Sequence, residues 1–266
     1  MLKETLIVAV RVIGILFTVF CVMHSSTSVA ADFYQDFRGS DFNIATLYAI
    51  GPDSGLEPTD EGLKIKSGNG SDNIGVGYPL PLGGDFVVEA DVVLLDVPTP
   101  SSGYGTGVAI LLEDKVNQGA SLQFVRSPEG NLMFVAHHYV VDDSGEYTHS
   151  AKTFETEDES VTLRLKREGG SLSYEVASGG QDSFRSLDEV SFSKRPIQTV
   201  QTYGQAGGGA NPFNVLIRDL RLQAEGIGES AMAYDGSSED WWIAAIAFIT
   251  IPLVIAAIAW YFRRKK

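Results

Sequence analysis

The chain has 266 residues, 44% of them hydrophobic, and a formal charge of −14 at neutral pH. That balance belongs to a folded protein, neither disordered nor collagen-like, and its acidity argues against nucleic acid as a partner, since phosphate contacts need clustered Lys and Arg. With 28 glycines and a single cysteine, the expected fold is rich in loops and holds without disulfides.

In chain order, residues 1–31 read as an export signal. Lys3 and Arg11 supply a positive start, Val12 to Val22 an apolar stretch, and Ser28-Val29-Ala30 the small residues before a cut after Ala30 or Ala31. Cys21 follows Phe20, where a lipoprotein signal needs a small residue, so lipidation is not expected. Residues 32–225 form the body, which contains no cysteine and no tryptophan.

The body reads as β throughout, with no sustained helical period. Phe86 to Leu94 is rich in β-branched residues and is led in by a turn at Gly83-Gly84-Asp85. Leu122 to Arg126 and Leu132 to Ala136 flank Ser127-Pro128-Glu129-Gly130, a hairpin turn in which Pro fixes φ and Gly accepts a positive one. Val161, Leu163 and Leu165 alternate with Thr162, Arg164 and Lys166, and Gly169-Gly170 then turns the chain into Leu172, Tyr174 and Val176. Val215 to Leu222 makes a last strand, where Arg218-Asp219 breaks the alternation and predicts a bulge. Strands at this spacing, separated by Gly, Pro, Asn and Asp, predict an antiparallel sandwich. Asn69-Gly70-Ser71 reads as a turn, and Glu155 to Glu159 as a solvated charged loop.

The far end reads as a membrane anchor. Residues 226–240 form a flexible acidic linker rich in Gly and Ser. Trp241 to Phe262 is an uncharged run; at about 1.5 Å per residue it spans roughly 33 Å, enough for a bilayer core of about 30 Å. Trp241, Trp242, Trp260 and Tyr261 sit at headgroup level, Pro252 falls mid-span, and the basic tail 263–266 places the C-terminus in the cytoplasm. The expectation is a type I protein of the cytoplasmic membrane, its body on the extracytoplasmic side.

Three segments carry a family resemblance. Glu61-Gly62-Leu63-Lys64-Ile65 followed by Gly84 to Val92, Leu163 to Arg167 with its Gly-Gly hairpin, and Phe213 to Leu222 resemble strands of concanavalin A-like (laminin G/glucanase) jelly rolls. The opening Phe33-Tyr34-Gln35-Asp36-Phe37-Arg38-Gly39 is similar to that of a bacterial domain family with this sandwich. The resemblance covers residues 33–225 and implies an all-β, two-sheet jelly-roll sandwich. It does not imply an activity.

Sandwich glucanases of this kind carry Glu-x-Asp-x-x-Glu on one strand. Here the segment is Glu89-Ala90-Asp91-Val92-Val93-Leu94, so the third acid is replaced by Leu94. Glu89 and Asp91 are the catalytic candidates, against the plainer reading of two solvated acids on a polar face. His137 and His138 are adjacent in a strand and point to opposite faces, so they cannot share a metal. His149 and Glu146 read as loop or edge-strand surface. Asp142, Asp143 and Glu146 offer oxygen ligands for calcium around a turn, although Asp, Ser and Gly also form turns unaided. The glycine clusters 103–107 and 207–209 lack the residues of a phosphate cradle and read as end loops. Tyr78, Tyr104, Tyr139, Tyr147 and Tyr203 are the rings available to stack on sugar.

The expected function is a membrane-anchored recognition domain that binds glycan or an envelope protein without catalysis and needs no cofactor. The alternatives are a glycan-acting hydrolase that uses Glu89 and Asp91, and a structural envelope protein.

Overall fold

A strand that alternates apolar and polar residues has one face to bury, and two such sheets can bury theirs against each other. The computed structural model describes residues 30–39, 46–67, 73–114, 116, 118–142, 144–179, 181 and 183–228. The signal residues 1–29, the Asn69-Gly70-Ser71 turn, Asp143, and the linker beyond residue 228 with the span 241–262 and tail 263–266 lie outside the described residues.

One sheet has eight strands. Seven run in the order β13 (Arg185–Ser191), β12 (Ser171–Ser178), β11 (Ser160–Glu168), β6 (Leu82–Asp96), β15 (Phe213–Ile227), β4 (Gly62–Ser67), β3 (Leu56–Thr59). The eighth, β1 (Ala31–Asp36), lies along the second half of β15. The other sheet has seven: β10 (Tyr147–Thr156), β9 (Leu132–Val141), β8 (Gln118–Arg126), β7 (Thr106–Glu113), β14 (Thr199–Gln205), β5 (Ile74–Tyr78), β2 (Tyr48–Ile50). Neighbouring strands pair antiparallel throughout. The expected sandwich is the observed one.

The core lies between the sheets. Val88, Ala90 and Val92 of β6, Leu163 and Leu165 of β11, and Leu220 and Leu222 of β15 belong to the same buried cluster as Ile110, Leu112, Leu122, Phe124 and Phe134 of the second sheet. Tyr174 of β12 reaches across it and donates its hydroxyl to the carbonyl of His137 at 2.9 Å.

Local details follow the sequence closely in some places. The register of β15 against β6 slips between Ile217 and Asp219, leaving Arg218 as the extra residue of the predicted bulge. Gly130 (φ +92°) and Gly169 (φ +59°) close the two predicted hairpins. The expected turn at Gly83-Gly84-Asp85 is instead part of β6: Gly84 takes a φ of +68°, and β15 absorbs the irregularity opposite, between Ala224 and Gly226. The charged stretch expected as a loop begins inside β10, because Glu155 and Thr156 pair with Met133 and Leu132.

Arg167 accounts for the misplaced turn. It is fully buried and donates to the carbonyls of Gly84, Ser193 and Arg195, while Phe86 covers its guanidinium, centroid to Cζ 4.4 Å. Burial pushes the guanidinium down to about 10. This one side chain ties β6 to the loop after β13.

Both ends of the body leave from one end of the sandwich. Ala31 stands opposite Ala224, and the Gly228 N–H donates to Pro81. Ile227 pairs with Leu82, which in turn bridges to Ile197 at the entry to β14.

Replacing Arg167 with Met leaves three half-buried carbonyl groups without their donor. Denaturant unfolding of Arg167→Met should show a loss of about 3 kcal/mol; a loss under about 0.5 kcal/mol would deny the clasp.

Candidate functional site

Because the core takes one face of each strand, chemistry can only be displayed on the two outer faces or the end loops. On the seven-stranded sheet, the register places Thr199, Glu113, Gly119, Tyr139 and His149 in one row across β14, β7, β8, β9 and β10. The next row holds Gln201, Leu111, Ser121, His137 and Ala151.

Four rings on β9 and β10 form a closed set on this outer face. Tyr139 and Tyr147 stack at 5.2 Å and 28°. Tyr147 meets His149 at 5.6 Å, His149 meets His137 at 5.9 Å, and His137 meets Tyr139 at 6.2 Å. Tyr139 then reaches over β8 and donates its hydroxyl to Glu113 at 2.5 Å. The reach is allowed because residue 119 is glycine: a Cβ there would lie 2.3 Å from Cε1 of the ring. On the other side of the same face, Tyr48 reaches over Gly77 and accepts the Gln201 amide at 3.0 Å.

Below the rings runs a buried polar ladder. The Gln205 amide donates to Gln123 at 2.8 Å, and the Gln123 amide donates to Ser121 at 3.0 Å. Tyr203 stands in the row of Gln123, 7% exposed. Burial, with Tyr104 and Glu113 nearby, holds its phenol well above the ordinary range. Tyr139 is raised too, by burial first and then by its bond to Glu113. Both stay protonated hydroxyls. His137 is pushed below the usual histidine value by burial and by His149 and His138, so it is neutral at pH 7.

The predicted rings therefore separate. Tyr139, Tyr147 and Tyr203 share this face, while Tyr104 stands 58% exposed on the end loop beside Gly208. Tyr78 points into the core against Phe33, ring centroids 4.6 Å apart, and offers no face to a ligand. His138 points inward, where the Gln118 amide donates to its Nε2 at 2.7 Å, opposite in sense to His137 as the alternation requires. Tyr48, Glu113 and Gln201 were missed. The signal for Glu113 is distant in sequence, whereas His137 and Tyr139, like Tyr147 and His149, show the spacing of two that shares a face.

Glu89 and Asp91 lie on the other outer face, that of the eight-stranded sheet. Glu89 is paired with Arg164 at 2.6 Å, and Arg164 also reaches Glu175 at 3.2 Å. Asp91 stands opposite Asp219 across β6 and β15. Arg218 is 3.5 Å from Asp91, an ion pair without hydrogen-bond geometry, and Arg221 and Arg38 flank Asp219 at 3.4 and 3.6 Å. Burial raises both carboxyls despite these arginines.

In the calcium candidate loop, Asp142 Oδ1 accepts from the Ser144 N–H, the Ser144 hydroxyl and the Glu146 N–H. It serves there as the turn's own cap. Among the described residues, no three His, Cys, Asp or Glu side chains gather as a metal site.

A family model described as "Protein of unknown function (DUF1583) C domain" matches residues 22–239, and the chain belongs to that family. No curated protein matches it. Solved structures share the fold. The Crh5 transglycosylase in complex with NAG is 12% identical, TM-score 0.53, over 73% of this chain and 84% of that one. An uncharacterized protein from Mycobacterium paratuberculosis is 15% identical, TM-score 0.51, over 71% and 99%. A protein described as an immunostimulatory antigen and pseudo β-1,3-glucanase of Mycobacterium tuberculosis is 10% identical, TM-score 0.50, over 72% and 98%. At such identities the likeness is one of fold.

Histidines held neutral make the fold sensitive to acid. Below 6.5 the unfolded chain binds protons that folded His137 and His138 resist, so stability falls as pH drops through that window. The Asp91–Asp219 pair has the opposite sign, its raised carboxyls adding stability as pH falls toward 3.8. Melting temperatures across pH should show the first slope flattened in His137→Gln and His138→Gln; an unchanged slope in both would contradict it.

Proposed function

We propose that this chain is a membrane-displayed recognition domain that binds saccharide on the outer face of its seven-stranded sheet, without catalysis. The observation that carries the reading is the closed set of four rings on β9 and β10, with Tyr139 anchored to Glu113 over Gly119. Amphipathic rings offer apolar area together with polar tips, and the amides beside them supply donors and acceptors for sugar hydroxyls. Glu113 is the carboxylate the rings contact, whereas glycoside hydrolysis needs two flanking the bond.

The hydrolase alternative rests on Glu89 and Asp91, and their surroundings speak against it. Both are engaged by arginines that would compete with a substrate. The related folds lend glycan chemistry its place in the proposal: one neighbour holds NAG, and another is described as a pseudo-glucanase. Display on the extracytoplasmic side follows from the expected signal and span. Both body ends leave the sandwich near the Glu113 row, through Leu82, Ile197 and the Gln198 to Glu113 bond.

The test is a thermal-shift screen of the purified chain against saccharides, with and without calcium. A ligand at about 100 times its dissociation constant adds roughly 2.7 kcal/mol. Tyr139→Ala and Tyr147→Ala should each weaken the responding sugar about tenfold, or roughly 1.4 kcal/mol. Replacing Glu89 and Asp91 by Gln and Asn should leave binding unchanged. No response to any saccharide would favour the structural envelope role, and sugar turnover lost on changing Glu89 and Asp91 would establish the hydrolase.

A further inference from the structure

The two tyrosine–glycine contacts on this face repeat one construction from opposite sides. Tyr139 of β9 crosses Gly119 of β8 to end on Glu113 of β7. Tyr48 of the edge strand β2 crosses Gly77 of β5 to end on Gln201 of β14. Strands β7 and β14 are neighbours, and their register sets Glu113 beside Thr199 and Gln201 beside Leu111. Glu113 and Gln201 are thus diagonal neighbours. Two rings come in from the two sides and stop at one central pair of polar groups.

From this arrangement we infer that Tyr48 and Gln201 form a second sugar subsite, and that the face takes the interior of a linear oligosaccharide laid across the strands. The inference rests on the saccharide reading above and adds the ligand's form. From Gly77 on β5 to Gly119 on β8 is three strand spacings of about 4.8 Å, roughly 14 Å. A trisaccharide fills that length and a monosaccharide does not. The middle sugar meets Gln201 and Glu113, which offer an amide and a carboxylate to its hydroxyls. The outer two meet the rings. Because Tyr48 and Tyr147 stand on the edge strands and are 38% and 52% exposed, a chain that continues past either ring enters solvent.

The glycines provide a selective test. A Cβ at Gly77 would stand 2.2 Å from Cζ of Tyr48, so alanine there drives the ring off the glycine and away from Gln201. Calorimetric titration of the full chain with laminari- and chito-oligosaccharides of one to six units is the measurement. In the series that binds, affinity should climb roughly a hundredfold from one unit to three and then level. Gly77→Ala and Tyr48→Ala should each remove that climb, with monosaccharide affinity and melting temperature kept. Equal affinity for one unit and three, or an unaltered climb in both variants, would overturn the second subsite while leaving saccharide binding intact. Silence toward every length in both series would overturn the saccharide reading itself.

Discussion

The packing of two sheets against each other consumes one face of every strand, and all else in this molecule is arranged on what is left. Val88, Ala90 and Val92 must point inward, so Glu89 and Asp91 must point outward. Phe134 and Ala136 must point inward, so His137 and Tyr139 cannot. The two outer faces are then finished in different chemistry. On the eight-stranded sheet, acids and arginines neutralise one another in a connected strip from Asp36 to Glu175. On the seven-stranded sheet, rings, the Gln201 amide and the carboxylates of Glu113 and Glu155 are left facing solvent.

Glycine decides which of these faces has relief. Outer positions of β5, β7 and β8 hold Gly75, Gly77, Gly107, Ala109 and Gly119, side chains too small to fill the surface above them. Tyrosines from flanking strands lean into that space and find partners there. A larger residue at Gly119 would push Tyr139 away from Glu113 and loosen its contact with Tyr147. The small residues shape the floor, and the neighbours supply the contact groups.

Much of the fold was legible because its signals are local. The β11–β12 hairpin shows strict alternation around Gly169-Gly170, and the β15 bulge announces itself where Arg218-Asp219 breaks the pattern. What was hidden depended on distant partners. Gly83 to Asp85 carries the composition of a turn, yet Arg167, remote in sequence, binds the Gly84 carbonyl and keeps the segment in β6. β10 is an edge strand with mostly exposed residues, so it lacks the apolar alternation that marks a strand. Half of the candidate site could be read: the Asp142–Glu146 turn sets Tyr147 opposite Val141, which brings His149 opposite Tyr139. Tyr48 could not be, since its meeting with Gln201 depends on the order β2, β5, β14. Nor could the inward turn of Tyr78, which closes the core beside Phe33.

On the function proposed above, the ringed face, and not the charged one, receives the saccharide. Crystals of the chain grown with a laminari- or chito-oligosaccharide would decide it by the position of the sugar. Density is expected over Tyr139 and Tyr147, extending across Glu113 and Gln201 toward Tyr48. Density over Glu89, Asp91 and Arg164 would contradict it.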